Sequence, residues 1–145
     1  MLDKTTVREW MSSPVLTIRP EAPISLAHTL MKERKVRRLA VVDEQDRLVG
    51  IITIGDVREA SPSDATTLSI WELIYLWAQL TVAKIMSHDI LTIRPDDTIY
   101  DAAKLMLEHK ISGLPVIDES NHLLGMITES DIFRMVIRLG VLETS

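Results

Sequence analysis

The feature that most constrains this chain is that it is one unit written twice. Shifting the sequence by 75 positions lays Val7 to Ala60 over Val82 to Met135 without a gap, and 23 of those 54 positions are identical. Residues of ordinary composition would agree at about 3 to 5. The LTIRP at 16–20 meets LTIRP at 91–95, and Asp43-Glu44 meets Asp118-Glu119. Several of the remaining differences are conservative, as in Val15 with Ile90, Val36 with Ile111 and Val42 with Ile117. A unit of this size is marginal alone, so the two copies are expected to pack together. The repeats divide the chain into 1–60, a linker over 61–81 that carries an apolar helix, and 82–145, which holds the second repeat and a tail.

Each repeat carries the same local pattern. VLTI (15–18) and ILTI (90–93) read as short strands closed by Arg-Pro, because proline ends a ladder and holds the residue before it extended. A helix follows, marked in the second repeat by Thr98 and Asp101 at capping-box spacing and by Ile99, Ala102, Leu105 and Met106 at helical spacing. Ile24, Ala27, Leu30 and Met31 repeat that stripe in the first copy. LAVV (39–42) and LPVI (114–117) then read as buried strands that turn at Asp-Glu and return at LVGIIT (48–53) and LLGMIT (123–128), so each pair is a hairpin. Asp56 and Asp131 open the last helix of each copy. The fold class expected is α+β, with the order β-α-β-β-α occurring twice.

Between the copies, LSIWELIYLWAQL (68–80) follows a loop-like SPSDATT and is apolar almost all round. As a helix it would reach about 20 Å, short of the ~30 Å hydrocarbon core of a bilayer. Two readings stand: a helix buried in the module, or a helix whose Trp71, Leu73, Leu76 or Trp77 covers a partner subunit.

Charge and composition exclude several classes. Sixteen Lys and Arg against 21 Asp and Glu give a net charge of -5, which draws the chain to neither nucleic acid nor an anionic membrane. With no cysteine there is no disulfide framework and no thiolate nucleophile or ligand, which fits a reducing cytoplasm. The opening MLDKTTVREW lacks the apolar run of a secretory signal, so a cytoplasmic protein is expected. The four histidines (His28, His88, His109, His122) show no i, i+4 metal spacing, and no phosphate loop, dinucleotide fingerprint or nucleophile elbow occurs. The expectation is no catalytic residue and no metal site. The seven methionines read as core fillers.

The tandem pattern, KVRRLAVVDE…LVGIITIGDV followed by KISGLPVIDE…LLGMITESDI, resembles a pair of CBS domains, the Bateman module. The likeness covers both repeats, and the linker is similar to that of small stand-alone bacterial CBS proteins of the acetoin-utilisation kind. The resemblance implies two repeats facing each other about a pseudo-twofold axis, two clefts that bind adenine nucleotides or adenosyl compounds, no enzyme activity and flat homodimers. No tightly held cofactor is implied; the ligands would be AMP, ADP or ATP, or S-adenosylmethionine or a related adenosyl compound.

Residue by residue, the resemblance puts the ribose hydroxyls on Asp56 and Asp131, with Thr53 and Thr128 beside them. A carboxylate suits this because it accepts two charge-assisted hydrogen bonds. The same Thr-x-x-Asp spacing is also that of a capping box, which would use both side chains to satisfy helix N–H groups. Arg37 and Arg38 would reach the phosphates of a ligand whose ribose is on Asp131, while their counterparts Ser112 and Gly113 cannot neutralise a phosphate. The two clefts are therefore expected to differ, the Asp131 one suited to a phosphorylated ligand and the Asp56 one to a neutral or cationic adenosyl compound. Thr17 and Thr92 read equally as contacts to base or phosphate and as half-buried strand threonines. Ala40, where the second repeat has Pro115, departs from the family at the edge of the adenine pocket.

The function expected is thus a regulatory module that senses an adenine ligand and passes occupancy to an unknown protein partner or through its own homodimer. The alternative is a structural dimerisation module whose Thr-x-x-Asp motifs only cap helices. Neither nucleic acid nor membrane is an expected partner.

Overall fold

A computed structural model of the chain describes residues 3–60 and 69–140. The SPSDATT segment, Leu68 and the tail after Gly140 lie outside the described residues. In chain order the elements are α1 (Val7–Trp10), β1 (Thr17–Ile18), α2 (Ile24–Arg34), β2 (Arg38–Val42), β3 (Leu48–Thr53), α3 (Ile54–Ala60), α4 (Ile70–Gln79), α5 (Val82–Ile85), α6 (Ile99–His109), β4 (Gly113–Ile117), β5 (Leu123–Thr128) and α7 (Glu129–Leu139). This is the mixed helix-and-strand class, with the repeat visible in space.

The compact units do not follow the repeats along the chain. One unit is Leu16–Ile90; the other joins Met1–Val15 to Leu91–Ser145. They are called here the Asp56 unit and the Asp131 unit. Each repeat's leading segment belongs to the other repeat's core. In the Asp131 unit Val7 N–H donates to the Asp97 carbonyl at 2.8 Å, and Ser12 exchanges backbone bonds with Met126 at 2.9 and 3.0 Å. In the Asp56 unit the counterpart Val82 donates to the Ala22 carbonyl at 2.8 Å, and Ser87 exchanges bonds with Ile51 at 2.8 and 3.0 Å. Val7 and Val82 are both fully buried, each worth about 1.5–3 kcal/mol of apolar burial.

Gly50 and Gly125 permit this approach. A Cβ on Gly125 would lie 2.6 Å from Met11 Sδ and 2.8 Å from the Ser12 carbonyl oxygen, and one on Gly50 would overlap Met86 Sδ. The paired methionines thus do fill core space, against a strand with no side chain at that point.

Within the Asp56 unit β1, β2 and β3 form one sheet in that order, β1 parallel and β3 antiparallel to β2. Among the described residues the Asp131 unit has only the β4–β5 pair, with Ile93 bridging Val116. The strand expected at 90–93 is therefore reduced to a single bridge, although 91–95 repeats LTIRP. The reason lies on the facing strand: Pro115 has no N–H to donate, so the pairing of Thr17 with Ala40 has no counterpart at Thr92.

The helices that precede these hairpins start on borrowed carbonyls. Ile24 N–H donates to Leu80 O at 3.0 Å, and Ile99 N–H to Thr5 O at 2.8 Å. Thr98 and Asp101 add the capping box expected from their spacing, each bonding the other's backbone N–H at 3.1 Å. Lys35 and Lys110, at equivalent positions, end α2 and α6 in the left-handed region at φ 56° and 55°. The helix α4 is not buried in the module. Leu73, Trp77 and Leu80 are half-buried, with the Trp77 ring 5.8 Å from that of His28 on α2, while Ile70, Trp71, Ile74, Tyr75 and Leu76 are exposed.

Candidate functional site

The end of each hairpin meets the start of a helix, and there the candidate residues gather. In the Asp56 unit Thr53 closes β3 opposite Arg38, the first residue of β2. The chain then turns directly into α3, and Ile54 N–H is taken by the Arg37 carbonyl at 2.9 Å. Asp56 thereby falls in the first turn: Thr53 N–H donates to Asp56 Oδ2 at 2.8 Å and Asp56 N–H to Thr53 Oγ1 at 3.1 Å. Arg37 is exposed, and Arg38, Thr53 and Asp56 are half-buried. Among the described residues Asp56 Oδ1 has no hydrogen-bond partner.

In the Asp131 unit the backbone is the same. Gly113 faces Thr128 across the hairpin, and the Ser112 carbonyl accepts from Glu129 N–H at 3.1 Å. Thr128 N–H donates to Asp131 Oδ2 at 2.9 Å, the Thr128 hydroxyl donates to the same oxygen at 3.0 Å, and Asp131 N–H returns to Thr128 Oγ1 at 3.4 Å. The other oxygen is also taken. Asp131 Oδ1 accepts from Arg134 at 2.8 Å, one turn along α7, and from the Ser12 hydroxyl at 3.3 Å. Asp131 is 2% exposed, a burial that a carboxylate tolerates only when it is paired and hydrogen-bonded.

The ten sequence-selected residues divide evenly. Thr17, Arg37, Arg38, Thr53 and Asp56 lie in the Asp56 unit; Thr92, Ser112, Gly113, Thr128 and Asp131 lie in the other. Thr17 is level with Ala40, two residues along β2 from Arg38. Among the described residues no hydrogen bond joins Thr17 or Thr92 to its unit's aspartate. Ala40 and Pro115 are both buried. The capping-box alternative for Thr-x-x-Asp describes both junctions as they stand, and at Asp56 it leaves one oxygen over.

Sequence reasoning missed Ser12 and Arg134. The Arg134 contact was available, since residues three apart on a helix are neighbours and its counterpart is Glu59. Ser12 gave no signal, because its partner is 119 residues away. Two further carboxylates organise the hairpin turns instead of a site. Asp43 takes the backbone N–H of Gln45 and Arg47, and Asp118 that of Ser120 and His122, at 2.8–2.9 Å. The Arg47 and His122 amides hold these half-buried carboxyls below their ordinary value. Among the described residues no cluster of His, Asp or Glu could hold a metal ion, and no helix is long and apolar enough to cross a membrane.

Fold and site together define a class: a duplicated α+β module with a carboxylate at each strand-to-helix junction. The CBS domain model matches residues 7–63 and again 82–138, and the chain belongs to the CBS-domain family. It is 38% identical to a homoserine O-acetyltransferase of Methanococcoides burtonii over 93% of its own length, but spans only about a quarter of that relative. Among solved structures it resembles the CBS pair of MJ0100 in complex with 5'-methylthioadenosine and S-adenosyl-L-methionine, at 28% identity and TM-score 0.73 over 90% of this chain and 94% of that one. It also resembles CBSX2 in complex with AMP, a protein of Arabidopsis thaliana, at 27% and 0.80 over 94% and 98%. A third neighbour, a putative acetoin utilization protein (AcuB) from Vibrio cholerae, aligns at 26% and 0.79 over 96% and 95%.

Proposed function

We propose that this chain is a non-catalytic cytoplasmic regulatory module that binds an adenine nucleotide or adenosyl compound. Occupancy would be passed to its own homodimer or to a protein partner. The observation that carries this reading is Asp56: a half-buried carboxylate at a helix start with one oxygen left, among the described residues, without a partner, in a chain similar to CBS pairs solved with AMP and with S-adenosylmethionine and methylthioadenosine. A ribose diol needs an acceptor of that kind. Asp56 and Asp131 would take ribose hydroxyls with Thr53 and Thr128 beside them, and Arg37 and Arg38 the phosphates of AMP, ADP or ATP. Ser112 and Gly113 leave room without charge, and Thr17 and Thr92 would line the base or phosphate. For the homodimer, support comes from exposed apolar side chains on two helices: Trp71 at 78% on α4, and Phe133 and Ile137 at 62% and 80% on α7.

The test is to denature the purified protein, look for a released adenine compound by mass spectrometry, and then follow Tm with AMP, ATP and S-adenosylmethionine. A ligand that binds only the folded state at 100 times its Kd adds about 2.7 kcal/mol and must raise Tm. No release and no shift with any of them overturns the reading. The second reading, a structural dimerisation module, is favoured by the full commitment of Asp131 to its neighbours and predicts that negative result.

A further inference from the structure

We propose that Arg134 is a specificity-determining residue, an internal latch that holds the Asp131 carboxylate closed to ribose while Asp56 stays open. The proposal rests on the ligand reading of the Thr-x-x-Asp motifs and adds which of the two is free to act.

The two aspartates differ in the acceptor sites they have left. An ionised carboxylate offers about four lone-pair positions. Asp131 fills them with four donors: the Thr128 amide, the Thr128 hydroxyl, the Ser12 hydroxyl and Arg134. Among the described residues Asp56 spends one, on the Thr53 amide. A vicinal diol asks for two. Asp56 can supply them as it stands; Asp131 must first give up bonds, and the charge-assisted 2.8 Å contact to Arg134 is the strongest of those it could release. Arg134 is also the one that can leave. Its side chain is 49% exposed, so it can turn into water, whereas Thr128 is fixed by the cap.

The latch is specific to one copy. The residue equivalent to Arg134 is Glu59, exposed on α3 and unable to donate to a carboxylate. The repeats agree at Thr, at Asp and in the identity of the leading-segment serine (Ser12, Ser87), whereas position 59/134, one turn beyond the acid, changes the sign of its charge. Any ribose ligand entering at Asp131 must displace Arg134, and a ligand without further contacts is excluded first.

The experiment uses calorimetric titration of the full chain with adenosine and, in parallel, AMP. In an Asp56→Asn background, adding Arg134→Met should tighten adenosine and AMP alike by about tenfold, the displacement of one charged hydrogen bond being worth at least that. The reciprocal variant, Glu59→Arg in an Asp131→Asn background, should weaken adenosine by about tenfold by building the latch at Asp56, and it tests the idea even if Arg134→Met folds poorly. Unchanged affinities with a lowered Tm would make Arg134 merely structural and overturn the latch. A loss of AMP alone would make Arg134 a phosphate ligand and overturn it too. In both cases the wild type still binds; if neither the wild type nor any variant binds either probe, the ligand reading itself fails and the latch with it.

Discussion

The two Thr-x-x-Asp junctions have the same motif letters, the same hairpin and the same helix start, yet one aspartate is 2% exposed with both oxygens engaged and the other is half-buried with one oxygen unpartnered among the described residues. The local sequence sets the cap, which is why both copies make it. What the carboxylate has left over is set by residues outside the motif: Ser12, brought from the leading segment of the other repeat, and the residue one turn along the helix. A motif match therefore locates the carboxylate but does not say whether its oxygens are available.

The comparison can be broken first at its base, the claim that the two cores are equivalent. Leu39 and Leu114 occupy the same position, each fully buried. Leu39→Ala and Leu114→Ala should each cost about 2–5 kcal/mol in urea unfolding, and a clearly larger loss in one would mean that the units differ in packing as well as in site chemistry. The next largest effect separates the acids. Asp131→Ala removes a cap, a bond to Arg134 and a bond to Ser12, and should cost about 2–3 kcal/mol, against about 1 for Asp56→Ala, which removes a cap alone. Equal losses would contradict the difference in commitment. Ser12→Ala should cost at most about 1 kcal/mol, and Ser87→Ala less, since among the described residues Ser87 makes no bond to Asp56.

The smallest effect is one the two units should share. Asp43 and Asp118 have folded-state values held below the ordinary 3.8 by backbone amides. Their stabilisation is present above that value and fades as pH falls through the lowered folded values. Asp43→Asn or Asp118→Asn should flatten the fall of Tm on acidification below about pH 4 while leaving its shape near neutrality unchanged. A flattening in one unit only would show that the turns, too, are unequal.

Much of this was legible in the letters. The repeat, the hairpins, the paired helices and the capping boxes follow from a 75-residue shift, period-3.6 stripes and Thr-x-x-Asp spacing. The exchange of leading segments was not, because α1 and α5 are four residues long and too short for any periodicity to mark them. Nor could identical LTIRP segments say that one would pair as a strand and the other only bridge; that depended on Ala40 against Pro115 across the sheet. Half of the candidate site was readable in the same way. The positions of Asp56 and Asp131 were, and the Arg134 contact could have been, but the Ser12 bond required the folded chain.

The measurement that bears most directly on the central claim is adenosine affinity in Asp56→Asn and Asp131→Asn, read by calorimetry against the wild type. Unequal half-sites predict that Asp56→Asn weakens adenosine by about tenfold or more, the loss of a charge-assisted acceptor, while Asp131→Asn leaves it within about threefold. Equal losses, or a greater loss in Asp131→Asn, would contradict the account.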